Sequence, residues 1–252
     1  MSRVQSVERA FAVLSALADG PLGVTDVAER ARLPKSTAAR LLGSLGREGA
    51  VEQVSGDTRY RLGARLATLA GNARSTRGLV AIAHPQLEEL ARLTGEAAGL
   101  GVPDGSTVHY VDQVDSPNPV QVRDWTGTRI PMHAVSSGHV FLAFMTDPAL
   151  ERHLSGPLEA FTSRTITNAD ALRARLRDVR RDGFAWVRDE FAEGITSVAA
   201  PIADADGEVV AAVHVHGPTY RFPGSGGDAV ARAVVAAGAR IGERRRALGP
   251  LG

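Results

Sequence analysis

Two short helical stretches lie close together between Val24 and Gly49. That spacing restricts the fold more than any other feature of this 252-residue chain. In the first stretch Val24, Val27, Ala28 and Ala31 share one face, Thr25 is placed as an N-cap, and Asp26 suits the positive end of the helix dipole. The second runs on from Leu33. Pro34 suits its first turn and Gly49 its end. Ala38, Leu41, Leu42 and Leu45 form its buried stripe, and Lys35, Ser36, Ala39, Arg40 and Arg47 lie opposite. A further helix over residues 6–18 comes before both, with Val7, Phe11, Leu14 and Ala18 as its apolar face and Asp19-Gly20-Pro21 as its stop. Two closely joined helices, the second cationic at its start, form the helix-turn-helix arrangement. The second helix of such a pair enters the major groove of DNA.

Two strand-like runs follow, Ala50 to Val54 and Arg59 to Leu62, around the turn Ser55-Gly56-Asp57-Thr58. Tyr60 and Leu62 offer a packing face, while Arg59 and Arg61 face the other way. A basic hairpin in this place is a wing. Lys35, Ser36 and Thr37 stand at a helix N-terminus, where backbone N–H groups and hydroxyls hold phosphate well. Arg40, one turn on, is placed to bond a guanine edge. Arg59 and Arg61 are expected on phosphate or in the minor groove.

A net charge of +1 conceals a split. Residues 1–77 carry +5 and residues 78–252 carry −4, so a nucleic-acid-facing front and a different rear are expected. Lys35 is the sole lysine among 29 fixed cations, so the arginine excess is compositional and is no signal by itself. No apolar run approaches the ~20 residues of a membrane helix. No secretory core follows the N-terminus, so a cytoplasmic protein without membrane partners is expected. Cysteine is absent, which removes disulfides, thiolate nucleophiles and cysteine-held metals.

Residues 63–77 read as a linking helix, with Leu62, Leu66 and Leu69 inward and small residues at Ala70, Gly71 and Ala73. Ser75 to Gly78 are expected to break it before another helix from Leu79 to Leu93. Hairpins are expected at residues 97–102 with 107–114, and at 198–203 with 209–215, with Val120 to Val122 as a further strand. Helices are expected at residues 137–145, 170–182 and 229–248, the second with its five arginines as a solvated face. Hairpins among helices make the rear an α+β domain.

Several separated motifs, in order, resemble the IclR family of bacterial transcriptional regulators. In front they are Val4-Gln5-Ser6-Val7-Glu8-Arg9-Ala10, Leu33-Pro34-Lys35-Ser36-Thr37 with Arg40-Leu41-Leu42, and Tyr60-Arg61-Leu62-Gly63. Behind they are Leu87-Glu88-Glu89-Leu90-Ala91, Ile130-Pro131-Met132-His133-Ala134, Arg164-Thr165-Ile166-Thr167, Asp189-Glu190-Phe191-Ala192-Glu193-Gly194-Ile195, Ala199-Ala200-Pro201 and Gly217-Pro218. The resemblance implies an α+β chain: an N-terminal winged helix-turn-helix (residues 1–63), a linker helix (64–78), and an effector-binding and oligomerisation domain (79–252). That last domain is expected to be a GAF-like six-stranded antiparallel sheet flanked by helices. The partners implied are double-stranded operator DNA, a small-molecule effector and further copies of the chain, as a dimer or tetramer.

The resemblance places the effector pocket among three pieces, which here supply Ser136 and Ser137, Ile195 and Ser197, and His214 and His216. Relatives that bind small carboxylates tend to carry small or hydroxyl residues at the last two positions. Two apart on a strand, His214 and His216 share a face while Val213 and Val215 point away. Two imidazoles and two hydroxyls suit a carboxylate, enol or phenol, assisted by the dipole of the helix that follows. Trp125 and Arg123 are expected to lid an aromatic effector or pair with its carboxylate, and Arg188 is a candidate second anchor. Glu190 and Glu193 are expected to support the turn at Gly194. The expected effector is a small organic acid, aromatic ones included, and no cofactor is expected.

Two rival readings remain at this point. His214 and His216 could hold a metal, for sensing or hydrolysis, although no HExxH, GxSxG or phosphate loop supports an enzyme. A purely architectural DNA-binding protein would leave the long acidic rear without a purpose.

Overall fold

A computed structural model describes residues 5–120 and 122–247, leaving aside the side chains of 67–75. The chain divides into two compact units at Ser75/Thr76.

The first unit holds α1 (Gln5–Ala16), α2 (Val24–Arg30), α3 (Lys35–Arg47) and the hairpin β1 (Val51–Gln53) and β2 (Tyr60–Leu62). Val13, Leu17, Val27, Ala38, Leu42 and Val51 form its core. The buried face of α1 differs from the expected one. Val13, Ala16 and Leu17 point inward, while Val7 is 52% and Phe11 66% exposed. The helix carries two adjacent apolar strips, and the buried one is the strip that Leu17 completes just past the last turn. Thr25 is not the cap of α2. Gly23 holds that position, and its N–H donates to the Asp26 carboxylate at 3.3 Å. Leu22 and Tyr60 bond reciprocally through their backbones, which ties the wing to the segment between α1 and α2. Tyr60 packs on the core, but Leu62 stays exposed.

One helix, α4 (Ala64–Thr94), replaces the two expected around Ser75–Gly78. Ser, Thr and Gly each cost about 1 kcal/mol or less inside a helix. Leu79, Ile82, Leu87 and Leu90 are buried along its second half, and such apolar burial outweighs those penalties. The expected inward side chain of Leu69, and the small residues Ala70, Gly71 and Ala73 after it, lie outside the described side chains.

The second unit is built on a six-stranded antiparallel sheet in the order β5-β4-β3-β8-β7-β6. The strands are β3 (Ala97–Asp104), β4 (Thr107–Val114), β5 (Arg129–Pro131), β6 (Ala185–Arg188), β7 (Ile195–Ala203) and β8 (Val209–Pro218). Neither Val120 nor Val122 lies in a strand, and Gln121 lies outside the described residues. Pro117 and Pro119 remove ladder donors just ahead of them, Val120 is exposed, and β5 takes the place beside β4. The strand period of two separates two cores. On one face Leu100, Val198, Ile202, Val213 and Val215 pack with the second half of α4 and with α8 (Gly227–Ala247). On the other, Val108, Tyr110, Ala199 and Ala212 pack with α5 (Ser136–Phe144) and α7 (Ala169–Asp182). His214 and His216 fall on this second face. The unit also holds α6 (Asp147–Leu154), which the sequence pattern did not signal.

Not all the arginines of α7 form a solvated face. Arg180 Nε donates to the Ala143 carbonyl at 2.6 Å, near the end of α5. Arg175 donates to the Trp186 carbonyl and to Glu190. A second guanidinium clamp lies at the far end of β8. Arg221 is bidentate on Glu96, at 2.5 and 2.9 Å, and donates to the Val120 carbonyl. Glu96 is only 5% exposed. Removing one partner of such a pair leaves an uncompensated buried charge, so Arg221→Ala is expected to cost ~3–5 kcal/mol, read by urea denaturation of the second unit.

Candidate functional site

Two surfaces carry the chemistry, one in each unit. In the first unit Lys35, Ser36, Ala39, Arg40, Gly43 and Arg47 form the exposed face of α3, with Thr37 half-buried. Pro34 precedes the helix, and no side chain caps its N-terminus. The first N–H groups therefore point outward beside Lys35 and two hydroxyls. The wing arginines stand on the hairpin with acidic neighbours. Arg59 Nε lies 2.5 Å from Asp57, and Arg61 Nε lies 2.7 Å from Glu52. Both pairs are exposed and worth little in water, so an incoming phosphate can take either guanidinium at small cost.

In the second unit a small cavity of about 40 Å³ opens on the α5 face of the sheet. That is well below the ~300–1,000 Å³ of small-molecule sites, so an aromatic ligand enters only as the lining side chains move apart. Its walls come from Tyr110, Trp125, Ile130, Val135, Ser136, Val187, Phe191, Ile195, Ser197, His214 and His216, with Ala134 and Ala192 filling corners. Ser136 opens α5, whose N-terminus packs tightly on the 3-10 turn Met132–Ala134. A Cβ on Gly138 would come within 2.0 Å of the Met132 carbonyl oxygen, so only glycine permits that approach.

His214 and His216 are 4% and 3% exposed. Their rings stack at 5.3 Å with 21° between planes, and Tyr110 meets His214 edge-on at 5.0 Å. Gly99 lies opposite His214 in the ladder, and a Cβ there would stand 2.5 Å from His214 Cε1. The imidazole thus lies over bare backbone. His214 Nδ1 and both His216 nitrogens are buried without a hydrogen-bond partner among the described residues. Burial holds His214 well below the usual histidine range and His216 down to about 4, so both rings are neutral at pH 7. Burial also raises the Tyr110 hydroxyl, which stays protonated.

Trp125 lines the cavity, edge-on to Phe191 at 5.6 Å. Its carbonyl accepts from Thr128 Oγ1 at 2.5 Å. Arg123 lies 4.2 Å over the Trp125 ring and does not itself line the cavity. The loop carrying Phe191 is pinned by Asp189 rather than by Glu190 and Glu193. Asp189 adopts φ +59°, and its Oδ1 accepts from the Gly194 N–H and the Thr219 hydroxyl. Thr162 and Thr165 hydroxyls donate to the carbonyls of Asp189 and Glu190. Glu190 is buried against Arg175.

Of the residues expected at the pocket, the structure brings together Ser136, Ile195, Ser197, His214, His216 and Trp125. Ser137 is buried but does not line the cavity. Arg188 is exposed and faces a separate cleft with Arg164 and Arg175. Sequence reasoning missed Tyr110, Ile130, Val135, Val187 and Phe191. Strand alternation signalled Tyr110 and Val187, while Ile130 and Phe191 stand inside the quoted motifs and Val135 directly follows one of them. Among the described residues no group of three His, Asp or Glu side chains converges, so the two imidazoles lack a third protein ligand for a metal. Nor is any described helix long and apolar enough to cross a membrane.

A DNA-reading unit joined in one chain to a cavity-bearing sensor is the make-up of a transcriptional regulator. Comparison with known proteins agrees. The IclR helix-turn-helix domain model matches residues 6–55, and the model of the bacterial transcriptional regulator IclR C-terminal domain matches residues 72–243. The glycerol operon regulatory protein of Streptomyces griseus is 39% identical over 222 residues, covering 87% of each chain. The transcriptional repressor IclR of Escherichia coli is 32% identical over 226 residues, covering 87% of this chain and 82% of that one. Among solved structures, IclR of Thermotoga maritima gives a TM-score of 0.66 at 26% identity, covering 96% of this chain and 99% of that one. An IclR homologue of Microbacterium hydrocarbonoxydans, complexed with 4-hydroxybenzoate, gives 0.65 at 28% identity, covering 96% and 100%. The chain belongs to the IclR family of transcriptional regulators, with an N-terminal helix-turn-helix and a C-terminal effector-binding domain.

Proposed function

We propose that this regulator reads operator DNA with residues 1–63 and senses a small aromatic organic acid with residues 79–252, residues 64–78 linking the two. Lys35, Ser36 and Thr37 hold phosphate at the start of α3, Arg40 reads a base edge, and Arg59 and Arg61 hold the wing on the backbone. A dimer, or a tetramer of paired dimers, sets two copies of α3 on half-sites about one helical turn apart.

One observation carries the effector reading: neutral, buried imidazole nitrogens without partners, set among aromatic walls. A buried polar nitrogen without a partner costs free energy that a ligand oxygen recovers. Each neutral ring has one N–H to donate. Trp125, Phe191 and Tyr110 offer ring edges and faces to an aromatic body. Ser136 and the first N–H groups of α5 suit the carboxylate. The relative solved with 4-hydroxybenzoate supports the same ligand class.

Calorimetric titration of the full chain tests this reading. Benzoate and 4-hydroxybenzoate are expected to bind at least ~10-fold more tightly than acetate or succinate, the difference expected from burying one ring. No heat from any aromatic acid, or tighter aliphatic binding, would overturn it.

A further inference from the structure

The cavity asks an unusual thing of its ligand. The stacked pair of His214 and His216 forms one wall, and three of the pair's four nitrogens have no partner. Among the described residues no anionic side chain touches either ring. In the ladder, His214 faces Gly99 and Ala199, while His216 faces Ala97 and Ser197. Tyr110 of β4 meets His214 with a neutral hydroxyl, and α5 contributes Ser136. Glu96, next along β3, is taken up by Arg221. Asp115 and Asp124 act on His216 only through space and favour its charged form. Arg123 stays on the outer side, over Trp125. A carboxylate entering this space would be the nearest negative charge to either imidazole.

We propose that binding of a carboxylate in this pocket takes up one proton, held by the His214–His216 pair, so that the regulator senses its acid and the ambient pH together. The inference rests on the aromatic-acid reading above and adds a regulation to it. In the free protein, burial opposes any charge on either ring. A bound carboxylate reverses that preference, because an imidazolium beside it makes a charge-assisted hydrogen bond and leaves the buried complex neutral. The two rings interact, so the proton belongs to the pair. The sign follows from linkage. Between pH 6 and 8 the free pair carries only the one N–H of each neutral ring, and the complex carries one proton more, taken from solvent, so affinity falls as pH rises, by up to tenfold per unit. A pocket lined by two hydroxyls in place of the imidazoles has no group that titrates in this range.

The test is calorimetry of the full chain with benzoate at pH 7.5, run in phosphate and in Tris, whose ionisation heats differ widely. The expected result is an observed enthalpy that differs between buffers by the heat of about one proton, with Kd rising about tenfold from pH 6.5 to 7.5. Equal enthalpies with benzoate bound would overturn the proton uptake and leave the aromatic-acid reading standing. No binding at all would overturn both. His214→Gln and His216→Gln assign the proton: uptake must be lost in at least one, and full uptake in both would overturn the assignment to the pair. Imidazole nitrogen NMR on the unmodified protein gives the same answer without a variant. Benzoate should bring in one imidazolium signal, and two rings remaining neutral would contradict the proposal.

Discussion

Replacing Arg40 with alanine is expected to weaken binding to the cognate operator by ~5- to 150-fold, the ~1–3 kcal/mol of a base-edge hydrogen-bond pair. Binding to random duplex should change far less. Arg40 stands exposed on the outer face of α3, and its neighbours Ala39 and Gly43 add no bulk between the helix and a groove floor. Lys35→Ala provides the contrast. On the proposed reading its ammonium holds phosphate at the helix N-terminus, so its removal should weaken all sequences alike and lower the salt slope by about one. Equal weakening on operator and random DNA for Arg40→Ala would move Arg40 into the phosphate class. Fluorescence anisotropy at two salt concentrations separates these results.

Gly99→Ala is expected to lose the effector site while DNA binding by the first unit persists. The added methyl would sit 2.5 Å from His214 Cε1 and 3.1 Å from the Asp112 carbonyl oxygen. The carbonyl belongs to the ladder and cannot give way, so the imidazole must leave its place in the stack. Affinity for an aromatic acid should fall at least ~10-fold, and overpacking should destabilise the second unit by ~1–3 kcal/mol. Calorimetry and urea denaturation read the two effects. Unchanged acid binding in a folded Gly99→Ala protein would show that His214 does not form the ligand wall.

The helix-turn-helix was legible because its signals are local. The stripe of Ala38, Leu41, Leu42 and Leu45, with Pro34 before it and Gly49 after, needs no tertiary knowledge, and α3 runs from Lys35 to Arg47. The face of α1 was not legible, because Phe11 and Val13 are both apolar and only Leu17 decides between the two strips. Pairing partners along the sheet were harder still. Val120 looks as strand-like as Ile130, and the prolines ahead of it decide the matter only once β5 is seen to be free to pair with β4. Within the pocket, the alternation of β8 placed His214 and His216 on one face. The remaining walls arrive from β4, β6 and the loop at Phe191, across long stretches of sequence. Nothing local marks them as neighbours. The pin on that loop is an aspartate in a left-handed conformation, a role that glutamate at 190 or 193 resembled only by charge.

One measurement tests the central claim, that acid sensing controls DNA binding. A labelled duplex, selected by the full chain from a randomised pool, is titrated with the protein alone and with saturating 4-hydroxybenzoate. The account predicts at least a ~5-fold change in DNA affinity, with the same factor appearing in the acid's affinity when DNA is bound. Superimposable DNA curves, with calorimetry showing the acid bound, would contradict it.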